Sequence, residues 1–224
     1  MSARRAARVL GLGIAATATA VTGLAQGVAL AAKAGTTGIG ADLTVGLARS
    51  LNLRLGAQAY TRSETRTEQE IEYDAKLELV SGEILLDVHP GGRGFRISGG
   101  AIVNGNAVTA VSSEDAVYTI NGVPYPVGLV GRLRGRVDTN DVAPYLGIGW
   151  GNAVAPGGPW RFALDVGAFY QGKPKVSLTA EPLIPALLPP RFEQDLEAER
   201  QEIEDDLDSY TVYPVVALGV SYRF

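Results

Sequence analysis

The chain has 224 residues, 46% of them hydrophobic and 20% charged, with a formal net charge of −4. That is enough chain for one domain, and an acidic balance speaks against a nucleic-acid partner. The absence of cysteine excludes a disulfide framework, a thiolate metal site and a cysteine nucleophile. A mean hydropathy of +0.09 argues against a helical membrane protein but leaves a barrel open, because half of each barrel strand is polar or small.

Arg4, Arg5 and Arg8 precede an uncharged run from Val9 to Ala32 rich in Ala, Gly and Thr. Ala29-Leu30-Ala31 puts small residues at both specificity positions, so residues 1–31 read as a secretory signal peptide cleaved after Ala31. An uncleaved anchor is the alternative. Without three arginines the chain keeps 17 basic and 24 acidic residues, a net −7.

From residue 32 to the end the pattern is alternation. Over 36–48, Ile39, Ala41, Leu43, Val45 and Leu47 share a face, opposite Gly40, Asp42, Thr44 and Gly46. After Arg49-Ser50 the pattern resumes, with Leu51, Leu53 and Leu55 opposite Asn52, Arg54 and Gly56. A period of 2 is the signature of a strand, and two strands joined by so little make an antiparallel pair. A polar loop over 61–74 follows. The strand over 73–88 places Ile84, Leu86 and Val88 opposite Glu83, Leu85 and Asp87, yet Leu77 and Leu79 lie on the parity of that smaller face. Either a bulge near Ser81-Gly82 shifts the phase, or those leucines face inward near the rim, or a Ser-Gly hairpin splits the stretch in two; one long strand is expected.

His89-Pro90-Gly91-Gly92 is a turn, and a strand starting at Phe95 alternates with Arg96 and Ser98. In the long polar connection 109–141, Tyr118 to Tyr125 reads as a hairpin around Asn121-Gly122. Strands over 143–152 and 160–171 flank a Pro-Gly turn, with Arg161 and Asp165 on the smaller face of the second. The next insert is helical by propensity over 191–208, with a narrow stripe of Phe192, Leu196, Ile203 and Leu207. It carries nine acids and two arginines. The closing stretch alternates to the last residue, Val216, Leu218, Val220, Tyr222 and Phe224 opposite Ala217, Gly219, Ser221 and Arg223.

The connections near 49–50, 89–94 and 153–159 are short, and those over 61–74, 109–141 and 180–209 are long. Short periplasmic turns and long external loops have this asymmetry. Tyr60, Phe95, Trp150, Trp160, Tyr170, Tyr210, Tyr222 and Phe224 sit at strand ends, as interface girdles require. The smaller faces carry Asp42, Arg54, Asp87, Arg96, Arg161, Asp165 and Arg223 among glycines, which suits a narrow polar lumen and not a dry core. The expected fold is therefore all-β: a transmembrane antiparallel up-and-down barrel with one acidic helix before the last strand. Seven wall strands can be identified; an even number is required, so eight are expected, with the missing one hidden in 71–89 or 126–140 and ten as the alternative. The last strand should close the barrel on the one over 36–48.

The signal peptide, the alternating strands and the ending Tyr222-Arg223-Phe224 resemble the small Gram-negative outer-membrane barrels of the OmpA-like or OmpW-like kind. The resemblance covers nearly all of the chain after the leader, and it implies the bacterial outer membrane as location. Lipid and lipopolysaccharide would be the surroundings, and the outer-membrane assembly machinery a partner that reads Tyr222 and Phe224.

Two roles stay open from the residues. The inward charges can plug a closed barrel with a structural or surface-interaction role, or form a porin-like selectivity constriction in a narrow channel gated by the 180–209 insert. A lipid-modifying enzyme would need a base beside a nucleophile. His89, the only histidine, lies beside Pro90 in a turn and there is no Gly-x-Ser-x-Gly, so no catalytic residue, metal or cofactor is expected. The acids of 191–208 lack EF-hand spacing, and the helix is expected to lie over the barrel mouth as a lid.

Overall fold

A computed structural model describes residues 27–68, 71–112, 117–182 and 184–224. In chain order its strands are β1 (Val28–Gly35), β2 (Gly38–Ala48), β3 (Leu51–Glu68), β4 (Ile71–Val88), β5 (Phe95–Asn104), β6 (Ala107–Ser112), β7 (Val117–Ile120), β8 (Val123–Pro126), β9 (Arg132–Asp138), β10 (Val142–Trp150), β11 (Trp160–Tyr170), β12 (Lys175–Glu181) and β13 (Val212–Arg223). Helix α1 spans Val127–Val130 and α2 spans Phe192–Leu207. Eight strands close a ring in the order β1-β2-β3-β4-β5-β10-β11-β13, with β13 returning to β1. Every neighbouring pair is antiparallel.

The eighth strand lies in neither expected place. It is β1, whose Ala29–Gly35 pairs with Arg223–Ala217 of β13 on one side, while Val28–Gly35 pairs with Val45–Gly38 of β2 on the other. The closing strand therefore meets 28–35 and not 36–48, and the leader boundary expected after Ala31 falls inside a wall strand. The region 71–88 is one continuous strand without a bulge, registered residue for residue with β3. Leu79 is accordingly buried at the inner rim, the second of the three readings of this stretch, and no Ser-Gly hairpin divides it.

The wall is apolar outside. Ile84, Leu86, Ile97, Leu146, Ile148, Phe162, Val166, Val216 and Leu218 are all exposed, on the parity opposite the lumen. Strand β11 has 11 residues; at about 3.3 Å per residue and a tilt near 40° it rises about 25 Å, the height of an outer-membrane apolar band. At the short-turn end Trp150 is registered with Phe95, and Trp160 packs edge-on against Tyr222 at 5.1 Å, which in turn meets Phe224 at 5.4 Å. These rings form one girdle.

At the other end the sheet leaves the barrel. The lower part of β4, Ser81–Val88, pairs with β5, whereas its upper part, Tyr73–Glu78, pairs with β6. From there β6, β9 and β12 extend the sheet outward. The region 126–140, suspected of hiding a wall strand, supplies β9 to this outer sheet. The Asn-Gly hairpin forms as expected: Asn121 and Gly122 have φ of 51° and 71°, the left-handed pair of a type I′ turn. Tyr118, Ile120 and Tyr125 of that hairpin pack with Val130 of α1 and Phe192 of α2 into a buried apolar cluster. Helix α2 thus lies against β12 and β7. It forms a wall of this outer subdomain, with Phe192 and Leu196 drawn into the hairpin's core.

Candidate functional site: the barrel interior

Arg54 on β3 stands at the centre of the lumen. Its Nη1 donates to Asp165 Oδ2 at 3.0 Å and its Nη2 to Asp87 Oδ1 at 3.0 Å. Arg96 on β5 donates from Nη2 to Asp165 Oδ1 at 2.7 Å, so one carboxylate is shared by two guanidinium groups. Ser98 Oγ donates to Asp87 at 2.6 Å. On the other side, Lys33 of β1 bridges Asp42 at 3.1 Å and Glu83 at 2.8 Å, and both carboxylates also lie within 4 Å of Arg54. All seven of these ionisable side chains are buried. Three cations interleaved with four carboxylates, in a space with little water, hold one another in place; each alone would be costly.

The room for this network comes from glycine. A Cβ on Gly56 would fall 2.3 Å from Asp42 Oδ1 and 2.8 Å from Glu83 Cγ, and one on Gly149 would fall 2.9 Å from Arg96 Nε. Toward the long-loop end the filling turns apolar: Leu85, Ile102, Ala143, Tyr145, Phe169 and Val215 form a buried cluster inside the barrel. Tyr145 lies over Gly147 and Gly167, with its hydroxyl where their side chains would be. Tyr213 stacks on Phe169 at 4.9 Å and donates to the carbonyl of Thr36 at 2.7 Å, pinning the β1–β2 turn. The cavity left among the charges measures about 30 Å³, room for one or two waters.

Solved structures share this architecture. CarO2 and CarO of Acinetobacter baumannii match at TM-scores of 0.57 and 0.56 and 25% identity, each over 88% of this chain and 98% of the other. A major outer membrane protein of Thermus thermophilus is similar over 88% of this chain and 99% of its own, at a TM-score of 0.44 and 14% identity. The chain is an outer-membrane β-barrel protein. No protein-family model matches it, and no curated protein does.

Of the charges expected in this outer-membrane barrel's lumen, Asp42, Arg54, Asp87, Arg96 and Asp165 come together as one network. Arg161 and Arg223 do not join it. They lie at the short-turn end, where Arg161 donates to the Pro156 carbonyl at 2.7 Å and Arg223 to that of Ala155 at 3.0 Å, tying down the 151–159 connection. Lys33 and Glu83 are the members that sequence reasoning missed. Parity does put Glu83 on the Asp87 face, so that signal was available; Lys33 was obscured because β1 reads as the tail of a leader.

His89 is 1% exposed, next to the network. Its backbone N–H donates to Ser50 at 2.7 Å, closing the turn, and neither ring nitrogen has a hydrogen-bond partner. Burial pushes its pKa below the usual histidine value. Tyr222 and Phe224, the expected assembly signal, face outward in the girdle, and the Phe224 N–H donates to the Val28 carbonyl at 3.0 Å.

Two acids of α2, Asp195 and Glu199, turn inward to their own subdomain. Asp195 accepts from the Tyr125 hydroxyl, from Asn121 Nδ2 at 3.0 Å and from Arg191 Nε at 3.2 Å. Glu199, one turn on, accepts the Asn121 backbone N–H at 2.7 Å. Both acids fasten the tip of the hairpin to the helix.

Proposed function

We propose that this outer-membrane barrel is closed, and that its work is structural or done by its outer subdomain at the cell surface, without catalysis. The observation that carries this reading is the double filling of the lumen: the Arg54-centred ion cluster below and the Tyr145–Phe169 cluster above, with about 30 Å³ left among the charges. Eight strands give an interior that side chains alone can fill. The short-turn end is then periplasmic and the outer sheet with α2 external, in keeping with the general habit of such barrels. Lipid and lipopolysaccharide bathe the apolar wall, and the assembly machinery reads the Tyr222–Phe224 end.

A channel gated by the 180–209 insert is less well supported, because α2 packs on β12 and β7 while the filling side chains belong to the wall itself. The leader boundary fits better at Ala25: Gly23-Leu24-Ala25 has the same small-x-small spacing and leaves β1 whole. Planar bilayers test the central point. The purified barrel is expected to give no discrete conductance steps, and neither is a variant lacking 180–209; regular steps from either would overturn the closed-barrel reading.

A further inference from the structure

Between α2, the β7–β8 hairpin and the outer sheet lies a cleft of about 310 Å³ that the barrel reading does not use. Its floor is a single cross-strand row, Ala110 of β6, Gly135 of β9 and Leu178 of β12. Two of the three are small, so the sheet is hollowed there. A Cβ on Gly135 would meet only Leu178 Cδ1, at 3.9 Å, so a larger side chain would grow into the cleft and not into the protein. Ile120 of the hairpin forms a wall, and Ile203 and Glu199, on successive turns of α2, overhang it.

Glu199 is the one ionisable carboxylate among the described residues that line this cleft. Its Oε2 is held by the Asn121 N–H, which fixes the group at the rim instead of leaving it to swing into solvent. The helix around it carries nine acids against two arginines over 191–208, while β9 under the floor carries Arg132, Arg134 and Arg136, so the placed Glu199 carboxylate and not a net field sets the preference for a cation. A mainly apolar hollow with a few placed polar groups, here Glu199 and Thr119, is the ordinary form of a small-molecule site, and this one is at the small end of the usual range of about 300–1,000 Å³.

We propose that the cleft binds a small organic cation. Its apolar body, an aromatic ring system or short branched chain, lies on the Ala110–Gly135–Leu178 floor, and its ammonium group meets Glu199. An anion would face the Glu199 carboxylate, and a neutral analogue forgoes its charge. This inference rests on the outer subdomain alone and is independent of whether the lumen conducts.

The test uses the full-length barrel in lipid nanodiscs titrated with 2-naphthylmethylammonium, followed by fluorescence anisotropy. Saturable binding at one site is expected. Gly135→Leu and, separately, Ala110→Leu fill the hollow and should abolish it while the heat-modifiable gel shift is kept. Glu199→Gln retains the acceptor for Asn121 and should weaken binding roughly fivefold. Neutral 2-naphthylmethanol should bind more weakly by a similar factor and be indifferent to Glu199→Gln, which gives a reading even if a filled variant fails to fold. Uptake that does not saturate, binding that survives both filled variants, or an alcohol that binds as well as the ammonium would each overturn the proposal.

Discussion

The barrel and the outer subdomain are built from the same alternating strands with opposite sidedness. In the barrel, Leu146, Ile148 and Phe162 face outward and Arg54, Asp87 and Asp165 face inward. In the outer subdomain, Tyr118, Ile120, Val130 and Phe192 face inward, and Glu197, Arg134 and Lys173 are on the surface. The difference follows from the solvent each part meets. Lipid accepts apolar groups and leaves polar ones to satisfy one another inside; water does the reverse. Burial therefore differs between the two parts, an ion network beside the Tyr145–Phe169 cluster in one and an apolar core in the other, and substitutions can separate them.

The largest effect should come from Arg54→Ala. It leaves Asp87 and Asp165 without their central cation, and loss of one partner from a buried ion cluster costs about 3–5 kcal/mol. Urea unfolding in lipid vesicles should show that drop, with protease resistance of the outer subdomain lost only when the barrel goes. Phe192→Ala removes the ring that packs edge-on against Tyr125 at 5.1 Å. A cost of about 3 kcal/mol is expected there, read as rapid protease nicking within 105–141 or 171–211 while the barrel still shows its heat-modifiable shift. A barrel that unfolds together with it would show that the two regions are one cooperative unit.

Acid should loosen the outer part. The Tyr125 hydroxyl, and after it the Asn121 amide, hold Asp195 below the usual carboxylate range. A carboxylate whose folded value is depressed contributes stability that is complete above its unfolded pKa of about 4 and is lost as pH falls through the folded value. Pepsin nicking should therefore rise steeply below about pH 4 in the native chain and change less with pH in Asp195→Asn. Lys173→Ala should do least. Its partner Asp208, at 2.5 Å, is a solvent-exposed contact, and no shift of either unfolding midpoint is expected.

Much of this division is legible in the residues. Period-2 alternation assigns a face to each side chain, which is how Asp42, Arg54 and Asp165 could be placed in the lumen together. Alternation does not give height along the barrel, because the stagger between strands is set by closure of the ring. Arg161 and Arg223 share the inward parity of Arg54, yet they sit near a turn and find carbonyls instead of carboxylates. The Asn121-Gly122 hairpin and the helix over 191–208 are local signals and survive folding unchanged. Strand β1 was hidden for a compositional reason: Val28 to Ala34 is Ala-rich, and small apolar residues suit both an export leader and a stave packed beside Gly40 and Gly219. The outer sheet was hidden because β6, β9 and β12 are short and set among polar residues.

Two strands, β3 and β4, belong to both parts without a break. Each has 18 residues, and the pair runs from the outer sheet into the membrane wall with no register shift. A shared pair of staves of this kind leaves no joint at which the outer subdomain could swivel. Whatever angle the barrel adopts in the bilayer is passed on, like the set of a mast stepped into a hull, to the surface presented to the surroundings. A tug on that surface would likewise be felt first at the inner rim by Leu79 and next by Glu83, at the edge of the ion network.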